Sequence, residues 1–489
     1  MAMKRILFGE WLPDMPDSTG QETLNLDSAL NVYSSTTGYA PFPKASIISS
    51  GTEDGEDINK LFLAKKDELI LAFSGTDKNI YLYNNLIGRG ASSKKVSKAG
   101  GYTNPTVAWD FASFGDTVIA TNGADKIQRY VVGDNGNFAD ISQAPVCNTI
   151  AIVRDFVFAG YCDGDSQKVQ WSDLNNESVW QSSDSNQADF QILPTGGAVK
   201  AITGGEFGII LQEKAITRAS YIGTPLVFQF DQISDNTGCL TGKSAIQYSG
   251  TTYFLSESGF MACDGSTVKN IGSGKINNWF FESLDSTQLE TMDVAIDPLK
   301  NLIVWNYPTT GRIPTDDERQ LIMYNYETGR WTSGSTKSQV VAQLATQGRS
   351  LDSLVSDYPT LDTMPLSLDS PLFIGGEFAF CGAIKDKVCT FNLHNESTYL
   401  TTSDIEQGVF SVATLAMPIV ENGSATFQVA SRNNLNQNIV WSTDSVTSPE
   451  NRADLRSGGR YHRLRVKPTG AGWTHAIGFD LTVTPQGQR

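Results

Sequence analysis

Residues 238–244 are the first candidate for chemistry, because they resemble a phosphate-binding loop. The segment reads GCLTGKS, with Gly238 and Gly242 followed by Lys243 and Ser244. A phosphate loop has four residues between its glycines, whereas this segment has three. Such a loop also needs a helix after it, so that backbone N–H groups face the phosphate, but strand-like residues follow here. The segment is therefore predicted to be a turn.

Histidines and acidic residues suggest two further candidates, both for metal binding. Of the three histidines, His394, His462 and His475, the last two could meet across two strands, but a third ligand is not evident. Residues 163–166 read DGDS and begin like a calcium loop, yet the later ligand spacing and the terminal glutamate of such a loop are missing. A hairpin turn is expected there, and no metal-ligating residue is predicted.

Hydrolase chemistry has no clear signature in this sequence. With 53 acidic residues, a glycosidase-like pair of carboxylates can always be imagined, so acidic residues alone indicate nothing. The repeated turn of sialidase-like propellers has its nearest counterpart at residues 172–180, where the aspartate is misplaced and the glycine is absent. The three histidines are too dispersed to suggest a catalytic triad. We predict no catalytic or cofactor-binding residues, no cofactor, and a protein that is not an enzyme.

Composition and charge constrain the partners of the chain. Its 489 residues carry a formal net charge of −16, whereas tight nucleic-acid binding relies on Lys and Arg patches that release counterions from phosphate. The longest basic cluster, formed by Lys94, Lys95 and Lys98, is expected to be a solvated loop. These features argue against DNA as a tightly held ligand, but not against DNA as a molecule that passes by.

Cysteine usage and hydropathy indicate a protein made in a reducing compartment. The six cysteines include no Cys-x-x-Cys pair and mostly lie in apolar segments, so buried free thiols are expected. Cys381 and Cys389 could instead face each other across a hairpin. The apolar run at residues 6–8 is too short for a signal peptide, and no segment approaches the length of a membrane-spanning helix.

A strand-rich unit recurs along the chain. Between residues 294 and 331, four short strands rich in β-branched and aromatic residues alternate with turns, as in one blade of a β-propeller. Similar units begin near residues 61, 107, 150, 199 and 245, with a period of roughly 40 to 50 residues. A closed ring would bury both apolar faces of each unit, with its second strand between neighbours. We predict an all-β fold with a roughly six-bladed β-propeller at residues 46–394.

The other segments flank or interrupt this propeller. Residues 1–45 are predicted to be an arm that packs on the body and supplies one strand to close the ring. An insertion at about residues 336–371 is predicted to hold a short helix and turns, and a closing fragment follows at residues 372–391. From residue 395 to 489, alternating apolar and polar residues predict a small C-terminal β-sandwich domain.

The order of these elements resembles a known family. The resemblance covers most of the chain and rests on runs at residues 38–43 (GYAPFP), 152–157, 169–173, 202–211, 258–260, 459–466 (GRYHRLRV) and 476–481. With these runs in this order, the chain resembles the tail accessory proteins of short-tailed bacteriophages, also called nozzle or packaged-DNA-stabilisation proteins. The matching residues are of structural rather than catalytic types.

The resemblance implies a location and a set of partners. Such proteins form a ring, usually a homohexamer, below the portal and its head-to-tail adaptor, where they extend the DNA channel. With a plug or needle they retain packaged DNA until ejection, and fibres or spikes attach around them. The expected location is therefore the virion tail, after synthesis in the host cytoplasm. Genomic double-stranded DNA would pass without specific binding, and an acidic channel wall would suit that passage because it repels phosphate.

Two other functions stay open at this point. A receptor- or carbohydrate-binding tail propeller would bind glycans or a host surface, and a propeller glycosidase would lose turnover when a central acidic pair is mutated. In the last domain, a group of arginines could form an interface for an acidic partner, although a solvated strand face is the simpler interpretation. This group comprises Arg452, Arg456, Arg460, Arg463 and Arg465.

Overall fold

The structure of the chain is dominated by β-strands. The computed structural model describes residues 2–16, 24–66, 69–83, 92–103, 105, 107–310, 319–345, 378–470 and 472–486. Within these ranges the helical elements are the α-helix Asn277–Ser283 and the 3₁₀ turns Gly242–Ser244 and Ser286–Thr291. None of these helices has the length and apolar character needed to cross a membrane.

Four-stranded antiparallel sheets repeat along the first part of the chain, and we number five of them as blades 1 to 5 in chain order. Blade 1 consists of Ile58–Lys66, Leu69–Thr76, Ile80–Tyr83 and Ser93–Lys95, and blade 2 of Asp110–Phe114, Thr117–Thr121, Gln128–Val131 and Ala139–Asp140. Blade 3 consists of Cys147–Val153, Phe156–Cys162, Asp165–Trp171 and Asp189–Ile192, and blade 4 of Val199–Thr203, Gly208–Gln212, Ile216–Gly223 and Val227–Ser234. Blade 5 consists of Ile246–Tyr248, Thr251–Ser256, Gly259–Cys263 and Val268–Asn270.

Two further four-stranded units complete the ring. The first, which we call the bridging meander, consists of Asp293–Asp297, Leu302–Pro308, Arg319–Asn325 and Arg330–Thr336, and its last strand continues into a larger sheet. The second, the closing blade, consists of Val340–Ala345, Phe378–Ile384, Lys387–Leu393 and the N-terminal strand Lys44–Ile47. The first strand of the closing blade packs between the first strands of the bridging meander and blade 1, which closes the circle.

Packing between neighbouring blades explains why these segments form strands. The second strand of blade 4, Gly208–Gln212, is buried along its whole length, as expected for a strand with a neighbour on each face. Aromatic side chains of successive blades pack against each other. The ring centroids of Phe73 and Tyr130 are 5.3 Å apart, and those of Trp171 and Phe228 are also 5.3 Å apart. The β-propeller prediction is confirmed, with six separate four-stranded blades and the bridging meander in the described part of the chain.

One part of the predicted insertion is wrong. Residues 340–345 form a strand inside the ring rather than a projecting helix, because their apolar side chains are buried between two neighbouring strands. The predicted closing fragment is part of a complete blade, and the N-terminal segment supplies its fourth strand as expected. The rest of the predicted insertion, residues 346–371, and the start of the predicted closing fragment, residues 372–377, lie outside the described residues.

The C-terminal region forms the predicted β-sandwich. Its two longest strands, Ile405–Glu421 and Ala453–Thr469, pair with each other and also with different further strands, so the sheet folds back on itself. Phe427 and Phe479, from strands that are not paired, meet across the interior with ring centroids 6.0 Å apart, and both are fully buried. The remaining strands are Tyr399–Thr402, Ser424–Arg432, Ser445–Val446 and His475–Pro485.

The N-terminal arm joins the propeller to this sandwich. Strand Ala2–Leu7 pairs with His475–Pro485, while Leu26–Leu30 pairs with Tyr399–Thr402 and, in parallel, with the last strand of the bridging meander. A single hydrophobic core therefore runs from blade 5 and the bridging meander through the arm into the sandwich. The hairpin of the arm is formed by Val32–Ser35 and Gly38–Pro41.

Candidate functional site in the propeller channel

The first strands of the blades surround a central channel. They enclose a cavity of about 620 Å³, and a second cavity of about 540 Å³ adjoins it. Lys60, Val107, Lys243 and Glu290 line both cavities, so they form the neck between them. These volumes lie within the range of about 300 to 1,000 Å³ that is usual for small-molecule sites.

Two lysines at the neck have different partners. Lys60 Nζ lies 2.7 Å from Asp293 Oδ1, in an ion pair between blade 1 and the bridging meander. Lys243 Nζ donates to the backbone oxygen of Ala108 at 2.9 Å and, among the described residues, has no carboxylate within ion-pair distance. The two ammonium groups therefore differ in how far the protein neutralises them.

The acidic groups around the neck are satisfied by donors of the protein. Asp110 Oδ2 accepts hydrogen bonds from the Thr149 hydroxyl and the Ile150 N–H, both at 3.0 Å. Glu290 Oε2 accepts the Thr241 hydroxyl at 3.0 Å. Asp293 Oδ2 accepts the N–H of Val341 in the closing blade at 3.1 Å, in addition to its pair with Lys60.

The pKa shifts follow this arrangement. Burial would lower the pKa of Lys60, but the attraction and hydrogen bond of Asp293 outweigh it and raise the pKa. Burial lowers the pKa of Lys243, and the nearby acids, Asp110 first among them, do not compensate. Burial also lowers the pKa of Arg319 to about 10 against the attraction of Asp293. Lys243 is thus a cation for which an additional anion would be favourable.

The segment that resembles a phosphate loop supplies this lysine. Residues 242–244 form a 3₁₀ turn, in which the Thr241 hydroxyl accepts the N–H of Lys243, and strand Ile246–Tyr248 follows. The turn prediction is confirmed. Gly242 lies against blade 4, since a Cβ there would be 2.1 Å from the Lys200 oxygen, so the segment packs as a tight corner that aims its lysine into the channel.

The predicted metal candidates do not come together. His462 hydrogen-bonds to Ser411 and Ser431 through its two ring nitrogens, His475 lies beside Glu421, and His394 is exposed. Asp163 and Gly164 have positive φ values of 53° and 82° at a hairpin turn, as the turn interpretation predicts. Within the described ranges, no three His, Cys, Asp or Glu side chains converge as metal ligands. The loop at residues 172–180 packs through the buried Trp180, whose Nε1 donates to Glu177 O at 2.7 Å.

Two arginines of the C-terminal group have structural roles. Arg463 is buried and pairs with Asp404, and the guanidinium carbon of Arg465 lies 4.4 Å from the Trp441 ring centroid. Arg452, Arg456 and Arg460 are exposed. A single solvated strand face therefore describes only part of the group, and the interface for an acidic partner stays a prediction.

Sequence reasoning predicts no site at the neck, although one signal for the channel is present. Lys60, Asp110 and Lys200 are charged residues in the first strands of three blades. In a propeller the first strand of each blade borders the axis, so a charged residue there marks the channel. Lys243 belongs to a segment whose sequence suggests phosphate chemistry alone.

Comparisons with known proteins identify no family for this chain. No known protein-family profile matches the chain, and no curated protein matches it. The WD40 domain of Neurospora crassa Pan2 is 9% identical, with 72% of this chain and 97% of that domain covered at a TM-score of 0.39. BamB from Moraxella catarrhalis is 12% identical, with 59% of this chain and 74% of that chain covered at a TM-score of 0.32. The computationally designed Ika8 protein is 12% identical, with 71% of this chain and 99% of that chain covered at a TM-score of 0.39. Likeness at this level carries no argument about activity or partners.

Proposed function

We propose that this chain is a structural protein of a short bacteriophage tail, one copy in a ring-forming nozzle below the portal and adaptor. In this role it extends the DNA channel, retains packaged DNA, anchors fibres or a plug, and catalyses no reaction. The observation that carries the proposal is the continuous core that joins propeller, arm and sandwich. Domains with small polar interfaces move relative to one another, whereas a part held between neighbouring tail components needs units that move together.

Residues that carry the sequence resemblance belong to this joint. Tyr39, in the run at residues 38–43, is fully buried and donates to Gly9 O at 2.7 Å. Gly478, in the run at residues 476–481, lets the N-terminal strand pass closely, since a Cβ there would lie 2.2 Å from the Ile6 oxygen. Part of the resemblance therefore concerns residues that hold the arm in place, which supports a shared architecture.

The proposed DNA conduit is separate from the propeller channel. A cavity of about 620 Å³ with an ion pair at its neck has the dimensions of a small-molecule site rather than of a passage for a duplex. We propose that the conduit lies between several copies of the chain, which agrees with the proposed ring. With a net charge of −16 per chain, the surface facing the duplex is proposed to be acidic, and phosphate contacts that would hold DNA are then few.

Electron microscopy of the source particle with a label fused to the C-terminus tests this proposal. The expected result is label on the axis of a short tail, in a ring with rotational symmetry around a channel. Label at the tips of peripheral appendages would contradict the nozzle and favour receptor binding, and absence of the chain from every particle would overturn the proposal. Once the ring identifies the acidic residues that face the duplex, their replacement by lysine should slow DNA ejection.

A further inference from the structure

We propose that the propeller channel is a binding site for a small carboxylate-bearing molecule, with the carboxylate held by Lys243 and the apolar part lying along the inner strands. This site is separate from the ring and its DNA conduit, so it can be tested on the chain in solution.

The first step in the argument is the unequal pairing of the channel cations. Lys60 is paired with Asp293, and Lys200 Nζ lies 3.3 Å from Glu213 Oε1. Lys243 donates to one backbone carbonyl, and an ammonium group has three donors. In the described part of the chain it is therefore the channel lysine best able to accept an anion from outside.

The second step is the position of Lys243 at the end of an apolar wall. The rings of Phe62 and Phe111 are stacked with their centroids 5.5 Å apart, and both side chains line the same cavity as Lys243. Ile150, Ile202 and Ile246 line it as well. The cavity therefore offers an apolar stretch of wall beside polar and charged side chains, which suits an amphiphilic small molecule.

The third step concerns the charge of the ligand. Asp110, Glu290 and Asp293 surround the neck, and they would repel a dianion such as phosphate more strongly than a monoanion. They are already hydrogen-bonded by donors of the protein, so they have little need of a cationic ligand. A monoanionic carboxylate satisfies Lys243 with the least repulsion, and an aliphatic chain matches the wall.

Calorimetry with hexanoate as the probe tests this site. Hexanoate is expected to bind the wild-type chain and the Lys269→Met variant equally, because Lys269 is exposed on the same blade. Lys243→Met should bind at least about tenfold more weakly, the effect of losing one hydrogen bond to a charged group. Lys243→Arg, which keeps the charge, should retain most of the affinity.

Further probes distinguish recognition of the carboxylate from binding of the apolar chain alone. Equal binding of hexanamide would overturn the proposal, since it would mean that the cavity takes apolar chains without regard to charge. Binding of inorganic phosphate but not hexanoate would also overturn it. So would failure of the wild-type chain to bind hexanoate, or unchanged binding by Lys243→Met.

One measurement on the wild-type chain avoids dependence on a variant that folds poorly. Lysines are acylated with and without hexanoate, and the modified peptides are mapped by mass spectrometry. Hexanoate should protect Lys243 at least severalfold more than Lys269. Equal modification of Lys243 in the presence and absence of hexanoate would contradict the proposal.

Discussion

Arg463 Nε lies 3.3 Å from Asp404 Oδ1 in the interior of the C-terminal sandwich, and the side chains are 4% and 1% exposed. Arg432 Nε donates to the other oxygen of Asp404 at 2.9 Å, so two guanidinium groups share one carboxylate. Arg463 also reaches Asp27 of the N-terminal arm at 3.3 Å. An ion pair between the buried Arg463 and the 42% exposed Asp27 therefore links the arm to the sandwich, in addition to their common apolar core.

Asp404→Asn is expected to destabilise the sandwich strongly. The variant removes the negative charge between two buried guanidinium groups, and breaking a buried pair in this way costs about 3 to 5 kcal/mol. Urea denaturation monitored by tryptophan fluorescence measures the loss. Asp454→Asn, at an exposed position of the same domain, should change the midpoint little. Equal midpoints for the two variants would show that the shared carboxylate contributes little.

Phe42→Ala is expected to loosen the closing blade. The Phe42 side chain is 1% exposed and lies 6.0 Å from Phe380 and 5.8 Å from Phe391, measured between ring centroids. Loss of a buried phenylalanine costs about 3 to 5 kcal/mol. Hydrogen exchange should therefore quicken in strands Val340–Ala345 and Lys387–Leu393 more than in blade 3. Ile47→Ala is the matched control, because Ile47 is 52% exposed in the N-terminal strand Lys44–Ile47 of the same blade. It should leave hydrogen exchange unchanged.

The location of these strands is only partly accessible from the sequence. Turn residues and β-branched runs identify the bridging meander well, since Leu302–Pro308 follows Asn301 with its positive φ of 58°. The helix predicted near residues 340–345 is wrong, because a short apolar run has no distinguishing period and burial on both faces decides its structure. The channel could be anticipated from the repeat, but the pairing of Lys60 and the lack of an acidic partner for Lys243 among the described residues depend on contacts between distant blades.

Trp11→Ala is expected to release the N-terminal arm from the body. Trp11 is 1% exposed, donates from Nε1 to Asp27 O at 3.0 Å, and meets Trp279 edge-on with centroids 4.9 Å apart. The substitution should cost about 3 to 5 kcal/mol and expose the strand Ala2–Leu7 to protease. Limited proteolysis with N-terminal sequencing of the fragments follows the release. Met15→Ala, at a 41% exposed position of the arm, should resist cleavage like the wild type; cleavage at the same rate in both variants would contradict the role of Trp11.

His462 is expected to make the sandwich sensitive to acid. Its ring is fully enclosed, with Nε2 2.9 Å from Ser411 Oγ and Nδ1 2.7 Å from Ser431 Oγ. Burial lowers the pKa of His462 to about 4, below its ordinary value of 6.5. Between these two pH values the His462 imidazole is protonated in the unfolded chain and neutral in the folded chain. The free energy of unfolding therefore falls as the pH falls from about 6.5 to about 4. Well above pH 6.5 the imidazole is neutral in both states, and this contribution is constant.

The contribution of this histidine can be measured by comparing melting temperatures against pH. His462→Asn removes the titrating group, so its melting temperature should fall less steeply than that of the wild type between pH 6.5 and 4, even if the variant is less stable at pH 7. Carboxylates common to the two proteins cancel in the difference. Parallel curves for the wild type and His462→Asn would mean that the ring is protonated as readily inside the sandwich as in the unfolded chain.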